Sequence, residues 1–167
     1  MNQKEQDIID ILVSEWKNER PSLDASAMQV VGRLIKIGKT LEKRAGNALK
    51  DSKIHYTDLD VLATIRRSGE PYKLTPKELM KSVLITSGAM TTLLDRLTKL
   101  ELIFRENDEK DKRIKRACLT EKGKVVIDKA IEIRFKEATS SVEMLNESEF
   151  ENAVFLLKKM LRHLDNN

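Results

Sequence analysis

Thr86, Ser87, Gly88, Thr91, Thr92 and Arg96 crowd into one short stretch of the chain. On a helix, Met90, Leu93, Leu94 and Leu97 would take one side, leaving the hydroxyls, Asp95, Arg96 and Lys99 mostly on the other. Short hydroxyls and a guanidinium are groups that reach phosphate oxygens and base edges. Further on, Lys110, Lys112 and Arg113 cluster in a polar ENDEKDKRI segment beside Asp108 and Asp111, which can orient them through ion pairs. Exposed pairs of that kind contribute only about 0 to 1 kcal/mol, so their value lies in aim rather than stability.

Charge singles out the same region. Residues 72–116 hold eleven Lys/Arg against seven Asp/Glu, and the rest of the chain holds twenty of each, so the whole net charge of +4 sits there. A surplus so confined is the footprint expected of a surface that meets nucleic-acid phosphates.

Other chemistries lack their residues. There is no Gly-rich phosphate loop, no metal-ligand cluster, and no nucleophile with a base near it in sequence, so neither an enzyme nor a cofactor or metal is expected. Cys118 is the only cysteine, which rules out an intramolecular disulfide and a cysteine zinc site; it reads as a packed thiol rather than a redox sensor. His55 and His163 are far apart in sequence and are expected at the surface or at helix ends. No run of eighteen apolar residues occurs, and MNQKEQDIID is too polar for a signal peptide, so the expectation is a cytoplasmic protein away from membranes.

The elements that must position these residues are punctuated by caps and breakers. Ile8, Ile9, Leu12, Val13 and Trp16 recur at helical spacing before Pro21, and a second apolar stripe runs from about Ala25 to Lys50. A short helix is expected between Tyr56 and Arg67, ended by Ser68-Gly69. LTPKEL then supplies Thr75 as N-cap, Pro76 at the first helical position and Glu78 to close a capping box. ITSG breaks that helix, and Thr86 or Ser87 can cap the next one, which runs to about Leu100; together they make a helix-turn-helix. Residues 102–105 and 115–119 read as two strands joined by the basic loop, Thr120 caps a long helix to about Met144, and Asn146 with Glu149 opens a final one.

The fold class expected is mainly α: a winged helix-turn-helix with a two-stranded β-hairpin wing and dimerisation helices at both termini. The divisions are 1–54 for N-terminal helices, 55–119 for a DNA-binding lobe and 120–167 for C-terminal helices. The terminal apolar stripes exceed what the middle can cover, so a homodimer is expected. Readout of double-stranded DNA would lie in Thr86, Ser87, Gly88, Thr91, Thr92 and Arg96, with Lys110, Lys112 and Arg113 following the backbone into the minor groove. Asp60, among Leu59, Val61 and Leu62, needs a partner or a polar cavity, and Arg105 is a candidate ion-pair partner. The rival is a helical dimer that serves as a protein-interaction module without DNA binding.

With LTPKEL at 74–79, ITSGAMTTLLDRL at 85–97, LIFRENDEKDKR at 102–113 and LTEKG at 119–123, the chain resembles the MarR family of winged-helix transcription regulators over nearly its whole length. That resemblance implies a homodimer on a pseudo-palindromic operator, with Asp111 and Arg113 as the wing's Asp-x-Arg element and Arg113 as its minor-groove contact. SEWKNERPSLD at 14–24 and DLDVLATIRR at 58–67 look like the urate-responsive PecS/HucR branch. There a tryptophan, an aspartate and two arginines frame the ligand; Trp16, Asp60 and Arg105 fall on three of those positions, and Leu93 stands at the fourth. The implied function is a transcriptional repressor released by a small, aromatic and anionic effector, with urate disfavoured by Leu93.

Overall fold

Among the described residues, four helices begin at a side chain that takes up backbone amides otherwise left without partners. In this computed structural model, which describes residues 6–83, 87–108 and 111–166 with Ser87 described by its backbone alone, Asp7 opens α1 (Ile8–Glu19). Thr75 opens α4 (Pro76–Met80), accepting from the Glu78 amide at 3.2 Å while the Glu78 carboxylate accepts from the Thr75 amide at 2.7 Å. Thr120 opens α6 (Glu121–Ser140) and Asn146 opens α7 (Glu147–Asp165), the latter by the reciprocal bonds with Glu149 that the spacing predicts. The remaining helices are α2 (Met28–Ala48), α3 (Tyr56–Arg67) and α5 (Ser87–Lys99), with a short 3-10 turn at Lys50–Ser52.

The chain divides into two compact units, Met1–Arg44 and Ala45–Asn167. In the first, Arg33 on α2 fastens α1 through ion pairs of 2.8 Å to both Asp7 and Asp10, and the Arg33 guanidinium holds the Asp10 carboxyl below the usual range. Ile9 packs on Gly32, where an added Cβ would lie 3.1 Å from the isoleucine methyl. Ile8, Leu12, Met28, Ile35 and Ile37 stay exposed on this unit.

The second unit holds the apolar core. Leu59, Val61, Leu62 and Ile65 of α3 meet Leu79 of α4, Met90, Leu94 and Leu97 of α5, Ile103 and Ala117 of the sheet, and Ile127 and Ala130 of α6. The expected hairpin forms as β2 (Ile103–Asn107) and β3 (Lys115–Leu119), with Phe104 opposite Cys118 and Arg105 opposite Ala117. A third strand, β1 (Lys73–Leu74), pairs with the other edge of β3, so the sheet order is β1-β3-β2 and not the two strands expected. Two residues are too few to show alternation, which is why β1 leaves no mark in the sequence.

The turn before β1 is held by Tyr72, whose ring meets both Arg66 and Lys124, each cation 4.8 Å from its centroid. Arg66 also makes an ion pair of 2.8 Å with Asp128, tying the end of α3 to α6. On α7 no described residue is buried, and Phe155, Leu156, Leu161 and Leu164 are all more than half exposed. Among the described residues no helix is long and apolar enough to cross a membrane.

Candidate nucleic-acid interface and effector cleft

The helix pair α4–α5 is set by local sequence. Pro76 and the Thr75–Glu78 capping box start α4, and the apolar side of α5, Met90, Leu94 and Leu97, is buried in the core. The opposite side is therefore turned outward: Gly88, Thr91, Thr92, Asp95 and Lys99 are exposed. The Thr92 hydroxyl donates to the Gly88 carbonyl at 3.3 Å. Thr86 lies outside the described residues, as does the Ser87 side chain.

Two residues of this helix are held from the sides. Arg105 of β2 brings Nη2 to 2.9 Å from Asp95 Oδ1, an ion pair without hydrogen-bond alignment. Arg96 brings Nη1 to 2.8 Å from Oδ2 of Asp58, a residue of α3 with no exposed side-chain surface. Neither partner was visible to sequence reasoning. The acid-rich YTDLD segment offers two carboxylates, and spacing alone does not say that Asp58 faces inward and Asp60 does not.

At the hairpin the Asp-x-Arg element forms a fork. Arg113 donates Nε to Asp111 Oδ1 and Nη2 to Asp111 Oδ2, each at 3.0 Å, yet its side chain is 90% exposed. Each group shifts the other: the Arg113 guanidinium lowers the Asp111 carboxyl below its usual range, and Asp111 raises Arg113. Lys112 is exposed beside them, and Lys110 lies outside the described residues. Asp108 is buried at the base of the loop, where its Oδ1 accepts the Asp111 amide at 3.0 Å and its Oδ2 accepts from Arg116 Nε. Arg116 also lies 3.9 Å from Glu78 Oε2, so the loop and the capping box of α4 share one guanidinium.

Asp60 does not meet Arg105, contrary to the ion pair its surroundings in sequence allow. Arg105 belongs to β2 and is taken by Asp95, whereas Asp60 faces a cavity of about 540 Å³ between α3 and α6. Tyr56, Asp60, Arg67, Ile131, Arg134 and Phe135 contribute to its lining. Burial raises the Asp60 carboxyl above its usual range, and the fields of Arg134 and Arg67 pull in the other direction. A carboxyl that shares a partly apolar cavity with two guanidinium groups can bind a ligand that carries both an anionic group and an N–H or O–H. Arg134 was missed because α6 is distant from α3 in sequence, and Arg67, seven residues after Asp60 on α3 itself, because spacing alone does not say that it lines the same cavity.

Trp16 is on α1 of the first unit and is 51% exposed. Leu93 is partly buried against the core. His55 is the exposed residue before α3, its amide donating to Asp58 Oδ2 at 2.7 Å. Cys118 is buried in β3, and that burial pushes its thiol up to about 11. No three His, Cys, Asp or Glu residues gather into a metal-binding group among the described residues.

Comparison with known proteins finds the same assembly elsewhere. Residues 52–114 match the family described as MarR. The HTH-type transcriptional regulator PecS of Dickeya dadantii is 30% identical over 156 residues, covering 93% of this chain and 94% of that protein. A mutant MarR from E. coli, complexed with operator DNA, superimposes with a TM-score of 0.71 at 25% identity, over 87% of this chain and 97% of that one. AbsC, a MarR family transcriptional regulator from Streptomyces coelicolor, shares the fold with a TM-score of 0.76 at 18% identity, over 87% and 99% of the two chains.

Proposed function

As the chain belongs to the MarR family and is a DNA-binding transcriptional regulator, we propose that it is a homodimeric repressor whose grip on a pseudo-palindromic operator is relaxed by a small anionic effector. In this reading α5 enters the major groove with Ser87, Gly88, Thr91 and Thr92 toward the bases, Thr86 extends that surface, and the hairpin lays Lys110, Lys112 and Arg113 along the minor groove. The observation that supports it most is the Arg113 fork: two bonds to Asp111 fix the guanidinium, and it remains 90% exposed. A cation held rigid and left open to solvent has little to gain in stability and is suited to an outside anion.

The dimer would bury the exposed apolar faces of α1, α2 and α7. The effector would enter the α3–α6 cavity, with Arg67 and Arg134 on its anionic group and Asp60 on a ring N–H or O–H. Release then requires the ligand to prefer the conformation that fits DNA less well.

A gel-shift titration against the chain's own upstream DNA tests the reading. Log affinity should fall with log salt by about 0.9 per phosphate neutralised, and a scrambled duplex should bind more weakly. Absence of both effects sinks it, and favours the interaction-module reading if scattering still shows a dimer. The effector part is tested by thermal-shift screening of aromatic carboxylates: Arg134→Gln should abolish any hit, and Trp16→Phe and Arg105→Gln examine the two family positions outside the cavity lining.

A further inference from the structure

We propose that Asp58 is a positioning residue for DNA binding: it grips one edge of the Arg96 guanidinium, so that the remaining N–H groups of Arg96 are presented to an operator phosphate. This rests on the DNA-binding reading above and adds to it a residue that itself touches no DNA.

Asp58 has no exposed side-chain surface, a position in which a carboxylate is costly unless it is paired. Its Oδ2 accepts the His55 amide at 2.7 Å and lies 2.8 Å from Arg96 Nη1 in an ion pair, while its Oδ1 is buried with no hydrogen-bond partner among the described residues. A buried pair left half satisfied is a poor device for stability alone, since apolar side chains of similar volume would serve as well. What it does supply is direction. The guanidinium is a planar fork with five N–H donors, and fixing one edge fixes where the others point.

The Arg96 side chain keeps 36% of its surface, and Arg96 sits one helical turn after the exposed Thr92, on the same side of α5. The neighbouring carboxylate that could repel a phosphate, Asp95, is occupied by Arg105 at 2.9 Å. Lys99, three residues further along, is exposed. Arg96 is therefore a bridge from the interior of α3 to the surface of α5.

The test uses the intact protein and a labelled duplex recovered from a random-sequence pool by the native chain, read by fluorescence anisotropy over a salt series. Arg96→Lys keeps a point charge for Asp58 but has no second edge to turn outward. It should melt near the native temperature, bind about tenfold more weakly, and show a salt slope shallower by about 0.9. Asp58→Asn retains an acceptor for the His55 amide and removes the anchoring charge. Loss of a negative charge near DNA would by itself tighten binding, whereas loss of an anchor weakens it, and a weakening of about fivefold or more is expected.

Arg96→Lys with native affinity and native slope overturns the proposal, and so does Asp58→Asn that folds and binds as tightly as the native chain or more so. Should Asp58→Asn fail to fold, Arg96→Lys decides alone. A native chain that selects no duplex would instead sink the DNA reading itself, and this proposal with it.

Discussion

Gly123, in the first turn of α6, lies so close to the carbonyl of Leu102 that a Cβ built on it would sit 2.0 Å from that oxygen. The same carbonyl accepts the Thr120 amide at 3.1 Å, so the strand end and the helix cap are pinned at one point. Neither backbone can retreat without losing that bond. Gly123→Ala should cost roughly 1–3 kcal/mol in urea unfolding, where an ordinary helix position would gain from the same change. An unchanged midpoint would mean the contact is looser than the geometry gives.

Asp60→Asn should stabilise the chain at neutral pH. Burial raises the Asp60 carboxyl above its usual 3.8, so the folded state prefers the neutral form. Below 3.8 the acid is protonated in folded and unfolded chains alike, and the asparagine variant has no advantage; stability of the native protein is lost as pH rises through the raised value. Melting temperatures for both proteins should thus coincide at low pH and separate at pH 7, with asparagine the higher. A native advantage at pH 7 would show that Arg67 and Arg134 outweigh the burial.

Cys118 should resist alkylation in the folded protein. Its thiol is buried and raised to about 11 from an ordinary 9.0, so thiolate is scarce at pH 8. Because the folded value is the higher one, the thiol's contribution to stability is complete below 9.0 and is lost as pH climbs toward 11. Iodoacetamide labelling followed by mass should be slow at pH 8 and rapid in urea. Rapid native labelling would reopen a redox role.

Arg113→Gln should leave thermal stability within about 0.5 kcal/mol of native, as for an exposed pair. Operator affinity should fall and the salt slope should flatten by about 0.9. The same change with no effect on affinity would remove the hairpin from the interface.

Thr75→Ala should cost about 1 kcal/mol, the usual loss for an N-cap. Because Glu78 is also near Arg116, the variant tests whether the capping box steadies the hairpin as well: tryptic cleavage after Lys112 or Arg113 should quicken.

Much of this architecture is readable from local spacing. Thr75 with Glu78 and Asn146 with Glu149 bind within three residues, so the sequence carries both donor and acceptor in one window. The Asp111–Arg113 fork is local for the same reason. What is not readable is pairing across the fold. Arg105 goes to Asp95, Arg96 to Asp58 and Arg116 to Glu78, and each choice depends on which face of a strand or helix is turned inward. The cavity beside Asp60 depends on α6, whose Arg134 has no periodic or motif signal of its own. Thr86 and Lys110 lie outside the described residues.

β3 lies between β1 and β2, and β1 leads directly into α4 through the Thr75 cap. Among the described residues, the hairpin is therefore tied to the helix pair: a load on β2 or β3 passes through one shared strand to β1 and the start of α4. In the proposed complex with DNA, a lobe coupled in this way would leave tolerance for imperfect sites to the bending of the duplex, and sequence steps that bend easily should be favoured even where no side chain reaches a base.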